Sequence, residues 1–456
     1  MTEIKDALGR AVTRRSFLST TAAAAVAVGA VGTLSACGGG SSGTPGGDTG
    51  GGEGGGTADG KGGAVTWGNW ANPGEAERFR QVSKDYEAEF GTKITYQIVT
   101  GDYNAKLLTQ LAGGSAPDSF YLSTEGTAKL IESNNIVDLT EFAGKAESPV
   151  KIEEFYPGLM PWTQPASGEG YYGLPVDCNP LVFWFNKELV EAAGLESPVT
   201  KHEAGTWNRD ALEEFLTKMK ATGKRGLVIA GEWAYWLSWM TTFGGTTFDD
   251  SNKAIFDTDP KSMETLTWIF AQMESENITY GGSLPKGQGI DALFYAQQLA
   301  SVQMGRWILP NLKKLKFGYD IAPYPSEDGK TIAPVNILVA AMGVNSKAKD
   351  SEAALWWTTR YVSADAPNGQ RARLSGGGNA VPSIPGAEDV VTEGNLPENA
   401  SFFNDVAKVG YAIPPAIAQK ASVAANINAE IDKIIKGGAD AQTFATEVCA
   451  FINSGS

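Results

Sequence analysis

Strand-like and helix-like segments alternate along this chain from Ala64, and the alternation starts afresh after Tyr172. Few architectures accept that pattern, because strands joined through helices build a parallel or mixed sheet with helices on its faces. The first run places a short strand at Ala64–Trp67, a helix near Pro73–Phe90, a strand over Lys93–Val99, a helix at Tyr103–Leu111 and a strand at Ser119–Leu122. Phe79, Val82, Tyr86 and Phe90 recur at helical spacing and face a core. The second run reads Leu181–Phe185, Gly226–Ala230, Ala300–Gln303 and Phe317–Ile321 as strands. Between them lie a helix opened by Thr206 and helices at Trp233–Phe243 and Met263–Met273. A strand at Ile337–Val344, a helix at Ser351–Val362 and terminal helices at Asn426–Gly437 and Gln442–Ile452 complete the pattern. The part from about Ala64 to Ser456 is long for one core, so two domains are expected.

What precedes Ala64 does not read as part of a fold. Lys5, Arg10, Arg14 and Arg15 lead into a weakly apolar stretch from Thr20 to Leu34, too short to span a bilayer. Leu34-Ser35-Ala36-Cys37 follows and looks like a bacterial lipobox, whose small residues admit a peptidase and whose thiol carries diacylglycerol. Thr13-Arg14-Arg15-Ser16-Phe17-Leu18 resembles a twin-arginine export motif, placed ahead of an ordinary secretory signal. Residues 1–36 are thus expected to be a signal peptide. Residues 37–63 are expected to be the lipidated Cys37 and a Gly-rich tether, with a root-mean-square reach of about 25–30 Å. The expected location is the extracellular face of the cell membrane, with the membrane reached through the lipid.

The formal charge of the whole chain is −15. Removing the segment before Cys37, which carries four basic and two acidic groups, leaves −17. Such acidity argues against nucleic acid as a partner and against anionic lipid held by a basic face. The single histidine, His202, leaves no multi-His metal site and no credible Ser-His triad. No Gly-x-Ser-x-Gly elbow is present, and no motif singles out a carboxylate pair for glycoside hydrolysis. No cofactor and no metal are expected. Cys178 and Cys449 read as two buried thiols, although an oxidising compartment would allow a bridge.

Several phrases, taken in order, resemble the extracellular solute-binding proteins that feed sugars to ABC importers, the maltose-binding class. They are Val65-Thr66-Trp67-Gly68-Asn69-Trp70, Gly101-Asp102-Tyr103, Leu111-Ala112-Gly113-Gly114-Ser115-Ala116-Pro117-Asp118 and Tyr172-Gly173-Leu174-Pro175-Val176-Asp177. Phe185-Asn186-Lys187-Glu188, Met304-Gly305, Trp307, Asn345-Ser346-Lys347 and Gly378-Asn379-Ala380-Val381-Pro382 continue the series. The resemblance implies a periplasmic binding protein-like α/β fold of type II. Two Rossmann-like lobes are joined by a hinge, and the ligand lies in the cleft between them. Lobe 1 is expected over residues 64–177 plus about 337–380, and lobe 2 over 178–336 plus about 381–456. Crossings are expected near Val176–Pro180, Pro334–Leu338 and Gly376–Pro385. The implied function is the binding component of an ABC importer, not an enzyme, acting as a monomer with the permease subunits as partners. A non-sugar solute such as a polyamine, a peptide or glycerol phosphate is the alternative, and a secreted glycoside hydrolase a more distant one.

A sugar presents hydroxyls at its rim and C–H groups on its faces, so its site needs flat aromatics with carboxylates and amides at the edges. The chain has twelve Trp. Trp67, Asn69 and Trp70 follow the first strand, where open α/β sheets bind ligands. Trp67 reads equally well as a core residue. Glu125 follows the third strand, and Asp177 and Asn179 sit at the first crossing. Glu232, Trp233 and Tyr235 crowd the start of a helix, with Trp233 the foremost stacking candidate of the second lobe. Trp307 matches the family's cleft aromatic, and its neighbour Arg306 is read as either a solute contact or half of an ion pair. Tyr103 is placed at the mouth, and Asn336 and Gly378 beside the hinge.

Overall fold

The structure, a computed structural model, describes residues 60–71 and 73–454. The expected signal peptide, Cys37 and the tether up to residue 59 lie outside the described residues. The tether's last residues are already docked. The Gly62 N–H donates to the Phe90 carbonyl and the Lys93 N–H to the Gly63 carbonyl. Arg360 binds the Gly60 carbonyl at 3.0 Å. Among the described residues no helix is long and apolar enough to cross a membrane.

Among the described residues ten strands follow one another. They are β1 Ala64–Asn69, β2 Lys93–Ile98, β3 Ser119–Leu122, β4 Leu174–Pro180, β5 Val182–Asn186, β6 Leu227–Ile229, β7 Ile278–Tyr280, β8 Ser301–Met304, β9 Tyr319–Ala322 and β10 Ile337–Val344. The first sheet has the order β2-β1-β3-β10-β4. β1 runs parallel to β2 and β3, whereas β10 is antiparallel to both β3 and β4. The second half repeats the plan. β6 pairs with β7 in parallel, and β5 lies antiparallel between β8 and β9. The Ala300 N–H donates to the Arg225 carbonyl and the Ser301 N–H to the Gly226 carbonyl, which sets β6 beside β8. The resulting order β7-β6-β8-β5-β9 mirrors the first sheet: in each, one strand antiparallel to the βαβ unit is inserted beside its third strand.

β4 contains Pro175 and Pro180, which cannot donate to a ladder. It is nevertheless a strand because it ends its sheet, with β10 as its paired strand on one side and a single bridge, Cys178 to Val381, on the other, so neither proline is asked to donate to a full ladder. Its register skips Val176, since Ala340 faces Asp177 and Ala341 faces Pro175. This bulge bends the strand just before it leaves the sheet.

The chain changes sheet at Leu181, one residue after β4 ends and one before β5 begins. The Leu181 N–H donates to the Asn336 carbonyl, immediately before β10. Cys178, Asn179 and Pro180 therefore belong to the first sheet, later than the expected change at residue 178. The third passage is held where Val381 and Cys178 exchange backbone hydrogen bonds. Helix Ala421–Lys436 packs on both Thr127–Glu132 of the first half and Trp233–Thr242 of the second.

Each half has its own aromatic core. Trp67 lies among Phe79, Tyr96, Trp357 and Tyr361, stacked on Tyr96 at 4.5 Å. In the second half Phe183 meets Trp207 and Phe215, and Trp236 meets Phe270, Tyr280 and Phe444. Cys178 and Cys449 are both buried and unbridged.

Candidate functional site

The carboxyl ends of the parallel strands in both halves deliver side chains toward the hinge. Trp70 follows β1, Glu125 follows β3, Glu232 follows β6 and Trp307 follows β8. Open α/β sheets bind ligands at such edges. A cavity of about 240 Å³ lies there. Trp70, Glu75, Phe79 and Tyr121 come to it from the first half and Trp307 from the end of β8. Asp177 and Asn179 of β4, the Leu338–Ala340 stretch of β10 and Asn379 complete the lining.

Trp70 is 37% exposed, the most open large aromatic among the described residues. It is propped edge-on by Tyr103 at 4.9 Å and Tyr121 at 5.2 Å. Trp307 is half-buried. It can fold close to the hinge strand because residue 305 is glycine: a Cβ there would stand 2.3 Å from the Trp307 ring and 2.6 Å from the Asn179 Cβ. The Asn179 amide oxygen accepts the Arg306 backbone N–H at 2.8 Å. Asp177 accepts from Arg373 at 3.2 Å. Burial pushes the Asp177 carboxyl above the usual aspartate range, and the Arg373 charge pulls it back part of the way. Asn379 donates to Glu75. The lining therefore combines aromatic faces, carboxylates and amides, and among the described residues includes no basic side chain.

Other expected contacts lie elsewhere. Trp67 is fully buried and its indole N–H is taken by Ser83 at 3.0 Å, so it is a core residue. Asn69 points inward with it, two residues along the same face of β1. Asn69 is fully buried and accepts the Tyr96 hydroxyl at 2.7 Å. Tyr103 does not stand at the mouth. It is buried, and its hydroxyl donates to the Tyr121 carbonyl at 2.7 Å. Arg306 is fully buried and spends its guanidinium on the carbonyls of Ala380 and Val391. Burial lowers it to about 10. It clamps β8 to the return segment, so neither a solute contact nor a surface ion pair describes it. Asn336 is buried at the hinge, with its amide donating to the Ala412 carbonyl and its backbone N–H to Ser238. Gly378 is buried against the Leu374 carbonyl.

The second cluster divides. Trp233 and Tyr235 are buried, with the Trp233 N–H taken by Asn428. Glu232 is exposed at the head of their helix. Crowding by the surrounding protein raises its carboxyl, and the Glu125 carboxylate raises it further. Glu125 lies on a separate, larger cleft of about 960 Å³, bounded by Asn104, Lys129, Glu132 and the start of helix Ala421–Lys436. Among the described residues that cleft has no aromatic wall and it carries both signs of charge, which makes it a poorer cradle for a sugar face than the cavity between Trp70 and Trp307.

Glu75, Tyr121, Arg373 and Asn379 were not singled out from the sequence. Glu75 stands in the first turn of an amphipathic helix, where a carboxylate already has a reason to be.

A hinged pair of α/β lobes with an aromatic and polar cavity beside the crossing strands is the architecture of a solute-binding protein. The sequence signature of the bacterial extracellular solute-binding proteins matches residues 70–366, and the chain belongs to that family. Members of the family are extracellular binding proteins rather than enzymes. An ABC substrate-binding protein of Listeria monocytogenes, solved with cycloalternan, shares the fold. Its TM-score is 0.72 at 20% identity, over 86% of this chain and 98% of that one. The GacH receptor of Streptomyces glaucescens, solved unliganded and with acarbose, has a TM-score of 0.69 at 18% identity, over 86% and 98% of the two chains. A putative binding protein of Brucella abortus is 26% identical over 148 residues, 32% of this chain. The match spans only 33% of that curated relative's length.

Proposed function

We propose that this protein is the substrate-binding component of an ABC importer and captures a mono- or oligosaccharide between its lobes. The observation that carries the reading is the cavity with Trp70 and Trp307 as aromatic faces and Glu75, Asp177, Asn179 and Asn379 at its edges. The faces suit sugar C–H groups, and the carboxylates and amides suit hydroxyls. Structural neighbours solved with cycloalternan and with acarbose support the same class of solute. Lobe 1 comprises residues 64–180 plus 337–380 in this reading, and lobe 2 begins at residue 182. Solute contacts from both sides favour the closed state, and the permease subunits receive the solute from it. The protein acts as a monomer, with no chemistry of its own. Cys37 carries the lipid that moors it to the outer face of the membrane.

The absence of a basic side chain among the described lining residues favours one second reading, a cationic solute such as a polyamine; the same feature disfavours glycerol phosphate. A thermal-shift screen of the full chain with maltotriose, monosaccharides, spermidine and dipeptides separates these. A bound solute raises the midpoint by mass action. Calorimetry with the best sugar should show one site and no turnover. A response to spermidine alone would overturn the sugar reading, and release of product would overturn the receptor reading. Cys37→Ala should free the protein from the membrane fraction.

A further inference from the structure

The Arg373 guanidinium is almost wholly buried, yet it sits directly behind the cavity. It donates to Asp177 at 3.2 Å and to the Val176 carbonyl, both on the hinge strand β4. It also lies over the Tyr361 ring, 4.1 Å from the centroid. The Tyr361 hydroxyl meets the Tyr121 hydroxyl at 2.7 Å. Tyr121 lines the cavity, and its ring supports Trp70. On the other side, Arg78 donates to the carbonyls of Arg373 and Ser375, which ties the helix that bears Glu75 to the same segment. A single buried cation thus touches the hinge strand and, through two tyrosines, the wall that carries the stacking tryptophan.

We infer that Arg373 is the positioning residue of the solute site: it aims Asp177 into the cavity as a hydrogen-bond acceptor and braces the Tyr121 wall behind Trp70. This rests on the cavity being the solute site. A buried guanidinium is the side chain for the task, because its planar fork serves a carboxylate, a carbonyl and an aromatic face at once. One Asp177 oxygen faces Arg373, and the other has no protein partner among the described residues, which leaves an acceptor for a solute hydroxyl. Burial opposes the charge of Arg373, but Tyr361, Tyr121 and Asp177 outweigh it and the guanidinium is held charged. The titratable and charged groups around Asp177 are Arg373, Tyr121, Tyr361 and the Cys178 thiol, with Arg78 beyond Arg373.

Carbon-13 carboxyl NMR of aspartate-labelled full chain tests this without any solute, with the Asp177 signal assigned by its loss in Asp177→Asn. Replacing Arg373 by Met should make Asp177 bind its proton about tenfold or more tightly, since an adjacent opposite charge ordinarily favours the ionised form by that much. Arg373→Gln keeps an amide donor toward β4 and serves if the Met variant does not fold. Arg373→Lys should restore most of the wild-type titration. Maltotriose titrated into the same proteins should bind about tenfold more weakly to the Met and Gln variants near neutral pH. An Asp177 signal that titrates alike in wild type and in folded Arg373→Met or Arg373→Gln overturns the inference. A shifted Asp177 with no maltotriose binding even by wild type keeps Asp177 under the control of Arg373 and counts against the sugar reading instead.

Discussion

The amide oxygen of Asn179 accepts the backbone N–H of Arg306 at 2.8 Å, so a side chain of the hinge strand fixes where the neighbouring Trp307 stands. This bond joins the last residues of β4, in the first sheet, to the end of β8, in the second. Asn179→Ala leaves a backbone donor without its acceptor beside the cavity. The expected cost is about 1 kcal/mol of stability, read from denaturant unfolding. Affinity for the sugar that responds in the thermal-shift screen should fall several-fold, because Trp307 loses its anchor.

The tryptophans of the first half should separate cleanly by assay. Trp67 is fully buried among five aromatic rings, and its replacement by Ala should cost roughly 3–5 kcal/mol of stability. Trp70 is 37% exposed, so Trp70→Ala should leave the unfolding midpoint almost unchanged. Trp70→Ala and Trp307→Ala should each weaken sugar binding roughly tenfold or more. Calorimetry beside thermal melts would expose a reversal of the two roles.

These contrasts show what the sequence could and could not disclose. The repeated strand and helix pattern made both halves legible, and Trp70 and Trp307 were legible because each follows a strand. Trp67 and Asn69 share the inward face of β1 with Val65, an alternation of period two that could have assigned them to the core. β4 was obscured by its two prolines, which are tolerated only because the strand ends its sheet. The three-residue β7 was too short for any periodicity to register. Neither reading of Arg306 from the sequence reached its actual role, since the carbonyls that occupy it come from Ala380 and Val391, far along the chain. Glu75 and Asn379 meet across an even longer separation, as do Asp177 and Arg373.

Solute affinity should depend on pH through Asp177. Its carboxyl lies above the usual aspartate range, first because it is buried. A carboxyl raised on folding binds its proton more tightly in the folded state. Its ionised form therefore opposes the fold at neutral pH, and that opposition fades as pH falls toward the folded value. Glu232, raised by crowding and by Glu125, acts in the same sense. Binding runs the other way, because protonation removes the charge of Asp177 and turns the oxygen that would accept a solute hydroxyl into a donor. Calorimetry between about pH 8 and 4 should show affinity falling on acidification, beginning above the ordinary aspartate range. In Asp177→Asn this limb should be flat.

Cys178 and Cys449 should resist alkylation in the native protein. Both are buried, and burial raises both thiols, Cys449 to about 12. The thiolate is the reactive form. Mass spectrometry after maleimide treatment should find both unmodified in buffer and both modified in denaturant, with no dependence on prior reduction. A disulfide-linked peptide pair would contradict the structure.

Gly378 offers the last test, because it lies outside the cavity and yet sets one of its walls. A Cβ at this position would stand 2.5 Å from the Leu374 carbonyl oxygen and 2.7 Å from the Leu374 Cα. Both obstacles are backbone, so neither can swing aside as a flexible side chain would. The Gly378 N–H also donates to that same carbonyl, closing the turn after helix Gln370–Leu374. Gly378→Ala must therefore push the 375–379 segment away from the helix that carries Arg373. Asn379, which donates to Glu75 across the cavity, moves with it. The expected result is a loss of about 1–3 kcal/mol of stability from overpacking, together with weaker sugar binding. Asn379→Ala should weaken binding with a much smaller effect on stability, since it removes the cavity contact without displacing backbone. If Gly378→Ala lowered stability while leaving affinity intact, the turn and the wall of the cavity would be independent, and Asn379 would have no part in holding the solute.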